Sequence, residues 1–180
     1  IMTLAKGIAS SYIPFGAVAV SAEINAPFES GETHFIHGFT NGGHPLGCAA
    51  GNELIDIIRD ENLLENCRKQ SEVLFSYREQ LLAHPTVRDV RGWGLMMVLE
   101  LIKDKESLDF FDSSLQAEKL YSAITLKHGL VMYGSLYGPR RQAAFKRGLP
   151  SWISPPLTIS SEEMHDLLGR LDNALSEWES

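Results

Sequence analysis

Residues 3–8 of the chain read Thr-Leu-Ala-Lys-Gly-Ile, and residues 12–17 read Tyr-Ile-Pro-Phe-Gly-Ala. The apolar run over residues 1–5 stops at a lysine and a glycine, which predicts a short strand that ends at Lys6. A second run of small and β-branched residues, 16–21, predicts a strand buried on both faces. A lysine among apolar neighbours loses hydration, and this favours its neutral, nucleophilic form. Lys6 is therefore a candidate catalytic residue, while the alternative is that it is only a turn residue at the end of the strand.

A glycine-rich stretch follows at residues 37–45, His-Gly-Phe-Thr-Asn-Gly-Gly-His-Pro. Pro45 stands where a helix can begin, and the apolar spacing predicts a helix over residues 44–59. A glycine-rich turn that enters a helix can present several N–H groups to an anion, and a threonine hydroxyl adds one more donor. Phe39 and Thr40 are therefore candidate anion-binding residues, while the alternative is that the stretch only builds the helix entry.

These two stretches resemble the lysine motif and the His-Gly-x-Thr-x-x-Gly-His-Pro segment of the class III aminotransferases. Residues 90–96, Val-Arg-Gly-Trp-Gly-Leu-Met, and residues 154–159, Ser-Pro-Pro-Leu-Thr-Ile, extend the resemblance over essentially the whole chain. The members it resembles are omega-aminotransferase-like. The resemblance implies an α/β chain with the pyridoxal-phosphate-dependent transferase fold of type I, from the Schiff-base lysine at the end of the large domain through the small C-terminal domain.

The resemblance also implies roles for individual residues. Lys6 would hold pyridoxal 5'-phosphate as a Schiff base and move a proton between substrate and cofactor. Thr40, with Phe39 supplying backbone, would bind the cofactor phosphate of the neighbouring subunit in a homodimer. The substrates would be an amine or omega-amino acid donor and a keto acid acceptor. Many members use an arginine before the Pro-Pro segment for the substrate carboxylate, and here Arg141 and Arg147 are the candidates, with an exposed basic loop as the alternative.

The patterning divides the chain near residues 59–62. Residues 1–60 are expected to be the remnant of the large cofactor-binding domain, and residues 61–180 the small domain. Ser160 and Glu163 predict a capping box that opens the last helix. Further helices are predicted over residues 63–84 and 114–128. Strands are predicted over residues 33–36, 87–91, 95–101 and 130–133, and a loop is predicted over residues 23–32.

Composition and charge exclude several classes of function. The net charge of −7 and the pI near 5.3 argue against nucleic acid as a partner. Two distant cysteines predict neither a disulfide framework nor a zinc module, and they favour the cytoplasm. The apolar start of the chain is interrupted by Ser10, Ser11, Pro14 and Gly16, so no membrane span is expected. His34, His37 and His44 lack the accompanying ligand pattern, so no metal site is expected.

The chain reads as an interior fragment, because Ile1 precedes Met2 and the first residues already form a strand pattern. In the resembled family the preceding region supplies the carboxylate for the pyridine nitrogen and most phosphate contacts. The 180 residues alone are therefore expected to be inactive or poorly folded. Two alternatives stay open: an aminomutase or decarboxylase on the same scaffold, and a non-enzymatic interaction module formed by the small domain.

Overall fold

The computed structural model describes residues 1–111, 114–132 and 148–180. Within these ranges the chain forms two compact units, Ile1–Leu63 and Leu64–Ser180. A two-stranded sheet belongs to the first unit and a three-stranded sheet to the second.

The first unit opens with an antiparallel pair of strands. Strand β1 (Met2–Leu4) pairs with strand β2 (Ala17–Ala19), and Leu4 lies opposite Ala17. The strands agree with the predicted runs, but the predicted burial is wrong for the described chain, because Met2 and Val18 are exposed. A two-stranded sheet buries its faces only where another layer packs on it.

Helix α1 (Ala22–Glu29) replaces the loop predicted over residues 23–32. The Ser21 hydroxyl accepts a hydrogen bond from the Ile24 N–H at 3.4 Å and so caps the helix. Pro27 suggested a loop, but it lies inside the helix, where it cannot donate a hydrogen bond to the Glu23 carbonyl, and the helix ends two residues later. The predicted strand at residues 33–36 is absent from the structure, and the Thr33 N–H instead bonds to the Pro27 carbonyl at 3.3 Å.

Helix α2 (Pro45–Asp60) confirms the helix predicted over residues 44–59. Pro45 occupies its first position, where the missing N–H costs no hydrogen bond. Gly47 and Gly51 are buried on one side of the helix. The ring of Phe15 packs on the backbone there, and Cβ atoms added to the two glycines would lie 2.8 and 2.9 Å from it.

The second unit is built on a three-stranded antiparallel sheet with four helices among the described residues. The strands are β3 (Val87–Trp93), β4 (Met96–Leu101) and β5 (Leu149–Ile153), in the order β3-β4-β5. The helices are α3 (Leu63–Ser76), α4 (Arg78–Ala83), α5 (Ser114–Lys127) and α6 (Ser161–Glu179). Their apolar residues meet in one core, whose fully buried members include Leu74, Leu81, Met97, Leu99, Leu168 and Leu171.

Two differences from prediction concern strands. Residues 130–132 form no strand, because the Leu130 N–H bonds to the Thr125 carbonyl at 2.8 Å and closes α5. With Gly129 at φ 77°, this is the Schellman motif, in which an apolar residue after the glycine is buried. Strand β5 was not predicted, because the buried residue Ser151 interrupts its apolar alternation. Ser151 is satisfied in the core by the Tyr121 hydroxyl at 2.9 Å, and burial raises the pKa of Tyr121 to about 12.

The hairpin between β3 and β4 turns at residues 94–95, whereas the prediction placed the turn at residues 92–94. Trp93 still pairs with Met96, so the loop consists of Gly94 and Leu95 alone. Gly94 has φ 59°, and a glycine at the first central position is typical of a type II′ turn. Gly92 is required for a different reason, since a Cβ there would lie 2.0 Å from the Met96 carbonyl oxygen.

Helix α6 begins with the predicted capping box. The Glu163 N–H donates to Ser160 Oγ at 3.2 Å, and the Ser160 N–H donates to Glu163 Oε2 at 2.8 Å. At the other end the Trp178 ring lies 5.3 Å from Phe111 and 5.2 Å from Tyr121, measured between centroids. The helix is thus fixed at its start by hydrogen bonds and near its end by aromatic packing.

His84, between α4 and β3, adds a polar connection to α6. Its Nε2 is 3.0 Å from Asp172 Oδ1, and its Nδ1 is 2.8 Å from Glu179 Oε2. A neutral imidazole has one N–H, so both contacts are hydrogen bonds only when the ring is protonated. Burial opposes the charge, but hydrogen bonds to Glu179 and Asp172 outweigh it and raise the pKa of His84 above its ordinary value.

Substituting Gly92→Ala should lower the free energy of unfolding of the second unit by about 3 kcal/mol, because the added methyl group overlaps the backbone of β4. Urea unfolding measures the change. Gly169→Ala is the matched control, because nothing lies within 4 Å of the added Cβ in α6. The control should be neutral or slightly stabilising. Equal unfolding midpoints for the two variants would contradict the prediction.

His84→Gln should reduce the stability of the second unit by about 2 kcal/mol near pH 6, through loss of the charged hydrogen bonds. The folded-state pKa of His84 lies above its unfolded value of 6.5. Its stabilising contribution is therefore full below pH 6.5 and is lost as the pH rises through the folded-state pKa. Unfolding midpoints recorded between about pH 6 and about pH 9 should converge for the two proteins. His34→Gln, at an exposed histidine, should follow the unsubstituted protein throughout; a constant gap for His84→Gln would refute the linkage.

Candidate active site

Lys6 stands two residues after the end of β1, at the first position of a short 3-10 helix, Lys6–Ala9. Its φ is 56°, in the left-handed region that costs a non-glycine residue about 1–2 kcal/mol. Ser10 and Ser11 share this region, with φ of 47° and 62°. Such conformations concentrate at functional sites, where the surrounding structure holds them in place. The backbone at Lys6 is therefore unusual in the way expected of a reactive position.

The side chain of Lys6 is exposed in the described chain. The apolar enclosure expected from its neighbours is not formed by this chain, because Met2 and Ala5 are themselves exposed. Ala9, three residues further on, is the buried residue of the 3-10 helix. The segment is thus fixed through its backbone and Ala9, while the amine of Lys6 remains accessible.

Phe39 and Thr40 lie in the turn that leads into α2. The Gly42 N–H donates to the Phe39 carbonyl at 2.9 Å and closes the turn. Gly43 then adopts φ 68°, and the helix begins at Pro45. The first N–H groups of a helix have no acceptor within it, and its N-terminus attracts negative charge. The turn therefore places the exposed Thr40 hydroxyl close in sequence to donors suited to an anion.

A row of rings runs up to this turn. Phe28 of α1 meets Phe35 at 5.9 Å, Phe35 meets His37 at 5.8 Å, and His37 meets Phe39 at 6.1 Å, between centroids. Phe35 and Phe39 remain 72% and 68% exposed, and Ile36 is 96% exposed. Exposed apolar surface of this kind is typical of regions that contact another surface.

Lys6, Phe39 and Thr40 all belong to the first unit, where the 3-10 helix packs against α2 and the turn enters it. Arg141 and Arg147, the candidates for a substrate carboxylate, lie outside the described residues. Sequence reasoning gave no role to Phe15, although the glycines at positions 47 and 51, one helical turn apart, indicate a surface for a large side chain.

Metal ligands are not assembled in the part of the chain that the structure describes, since no group of three or more His, Cys, Asp or Glu side chains could hold an ion there. The described helices also include none with the length and apolar character needed to span a bilayer.

Comparison with known proteins gives matches along nearly the whole chain. Residues 1–175 match the family described as aminotransferase class-III. An aminotransferase of Gibberella zeae is 33% identical over 177 residues, which are 97% of this chain and 34% of the relative. The putrescine–pyruvate aminotransferase of Pseudomonas aeruginosa is 34% identical over 169 residues, 93% of this chain and 34% of that protein.

A solved structure gives the same result in three dimensions. The (S)-enantioselective omega-transaminase of Thermomicrobium roseum superposes with a TM-score of 0.80 at 34% identity, over 99% of this chain and 37% of the other. The chain thus spans about a third of the length of the curated relatives it matches.

Proposed function

Because the chain belongs to the class III aminotransferase family, we propose that the protein carrying it moves an amino group from an amine or omega-amino acid to a keto acid. Pyridoxal 5'-phosphate would be bound covalently to Lys6. The observation that carries the proposal is the accessible amine at the end of β1, on a backbone held at φ 56°. The fold expected from the sequence, the α/β transferase fold of type I, is confirmed by the likeness to solved transaminases.

The residues present suit this cofactor. Lys6 offers a primary amine, and the neutral form of this amine can attack an aldehyde. Thr40 and the N–H groups around Phe39 offer donors for a phosphate. When bound, the cofactor supplies an aldehyde and a ring that accepts electrons from the substrate carbon. The Lys6 amine, once displaced by the substrate amine, would take the proton from that carbon and return it as a general acid.

The family and its named members support a proposal for the class of substrate. The Pseudomonas relative is named for putrescine and pyruvate, and the Thermomicrobium enzyme is an omega-transaminase. A terminal amine as donor and a small keto acid as acceptor therefore fit best. A planar guanidinium can form two parallel hydrogen bonds with a carboxylate. We keep Arg141 and Arg147 as the proposed residues for the keto acid.

We further propose a homodimer, in which Thr40 serves the cofactor of the neighbouring subunit. The exposed rings of Phe35 and Phe39, next to Thr40, support a second surface at this place. We also propose that residues 1–60 complete a large domain and residues 61–180 form the small one, which the division at Leu63 supports. The free cysteines Cys48 and Cys67 support a cytoplasmic location.

Lys6→Ala should lower transamination by the full-length protein on the order of 1,000-fold or more, because no other group replaces a missing nucleophile. Borohydride reduction followed by peptide mapping should find the cofactor on Lys6. Lys69→Ala, at an exposed position of α3, is the matched control and should retain activity and cofactor. A cofactor adduct on another lysine, or no adduct, would overturn the assignment of Lys6. A separate measurement, product analysis with a keto acid, distinguishes transamination from mutase or decarboxylase activity.

Mixed dimers test the role of Thr40. One subunit carries Lys6→Ala and the other carries Thr40→Val, which removes only the hydroxyl. If Thr40 serves the neighbouring site, both defects fall in one active site and the other site is intact, so the mixed dimer should show about half of the unsubstituted activity. If Thr40 serves its own subunit, one site lacks Lys6 and the other lacks the Thr40 hydroxyl, so the mixed dimer should show about half of the activity of the Thr40→Val dimer.

A further inference from the structure

The ring of Phe15 lies directly on the backbone of α2. A Cβ at Gly47 would be 2.8 Å from its Cδ2 atom, and a Cβ at Gly51 would be 2.9 Å from its Cε1 atom. Cβ atoms in folded proteins essentially never lie within 3.0 Å of a non-bonded neighbour, so the ring would have to shift to admit either one. The two glycines, one turn apart, therefore leave a recess on α2 that fits the ring, and we call this recess the seat. The methyl group of an alanine at either position would occupy it.

Phe15 belongs to the same short loop as Lys6. The loop is closed at its base by the pairing of Leu4 with Ala17. Its other end is held against α2, where the Ile8 carbonyl oxygen lies 3.5 Å from the Cβ position of Gly51. Lys6 is thus located between two fixed points, the end of β1 and the seat on α2.

The helix that holds Phe15 is the one that the Thr40 turn enters. Thr40 precedes the first residue of α2 by five positions, and Gly47 lies in the first turn of the helix. A displacement of the ring would move the lysine loop relative to the N-terminus of α2. Because misplacement by about 1 Å can lower a catalytic rate about 100-fold, contacts of this kind control rate as well as stability.

We propose that Phe15 is a positioning residue for Lys6: its ring, seated on Gly47 and Gly51, fixes the lysine loop against the helix that begins at the Thr40 turn. The inference rests on the proposed function, because the position of Lys6 matters only if its amine reacts. Through this contact, Lys6, which serves one site, is held in a fixed position relative to Thr40, which is proposed to bind the phosphate of the neighbouring site.

The test is a pair of opposed substitutions in the full-length holoenzyme. Phe15→Leu removes ring volume, and Gly51→Ala adds a methyl group to the seat. Each should lower kcat about ten-fold and shift the pH midpoint of the absorbance band of the Lys6 adduct. The double variant conserves volume and should recover most of both properties. Phe15→Met serves as a milder second variant, and Gly169→Ala as the matched helix-glycine control.

A purely structural role predicts another pattern. Melting temperatures of the single variants would then fall, while kcat and the pH midpoint stay unchanged, and this result would overturn the inference. Lack of recovery in the double variant would overturn it as well. An unsubstituted enzyme without a borohydride-trapped adduct on Lys6 would overturn the proposed function and the inference together, whereas a normal adduct with unresponsive variants would overturn the inference alone.

Discussion

Each unit contains a place where the backbone lies so close to a neighbouring group that only glycine fits. In the first unit the Phe15 ring rests where Gly47 and Gly51 expose the surface of α2. In the second, Gly92 lets β3 approach the Met96 carbonyl and so brings the hairpin together. These contacts tolerate little change, because interiors are filled to crystal-like density and an added methyl group displaces its neighbours.

Much of the fold follows from local sequence rules. The entry of α2 at Pro45 and the capping box of Ser160 and Glu163 are found as predicted, because each depends on residues a few positions apart. The failures have tertiary causes in one case and local causes in another. Strand β5 contains Ser151, whose polarity is acceptable only because Tyr121 reaches it across the core. Leu130 is buried as part of a helix cap, and burial alone does not distinguish a cap from a strand.

For the candidate site, the sequence indicates which residues to consider, but it does not indicate their backbone conformation or their burial. Lys6 and Thr40 are proposed from motif resemblance, because each lies in a short contiguous stretch of the sequence. The left-handed backbone of Lys6 is set by the loop between β1 and β2, and residue identity does not reveal it. The expected burial of Lys6 failed because it was inferred from sequence neighbours, whereas enclosure depends on residues that meet only in space.

The three tryptophans occupy different surroundings, and this makes the chain its own optical probe. Trp93, at the tip of the β3–β4 hairpin, is 90% exposed, while Trp178 is half-buried between Phe111 and Tyr121. Water-facing indole emits at longer wavelength than indole among rings, so separation of α6 from its neighbours would change the colour of emission without any attached dye. Aqueous quenchers would reach the hairpin indole first and the helix indole only after that separation.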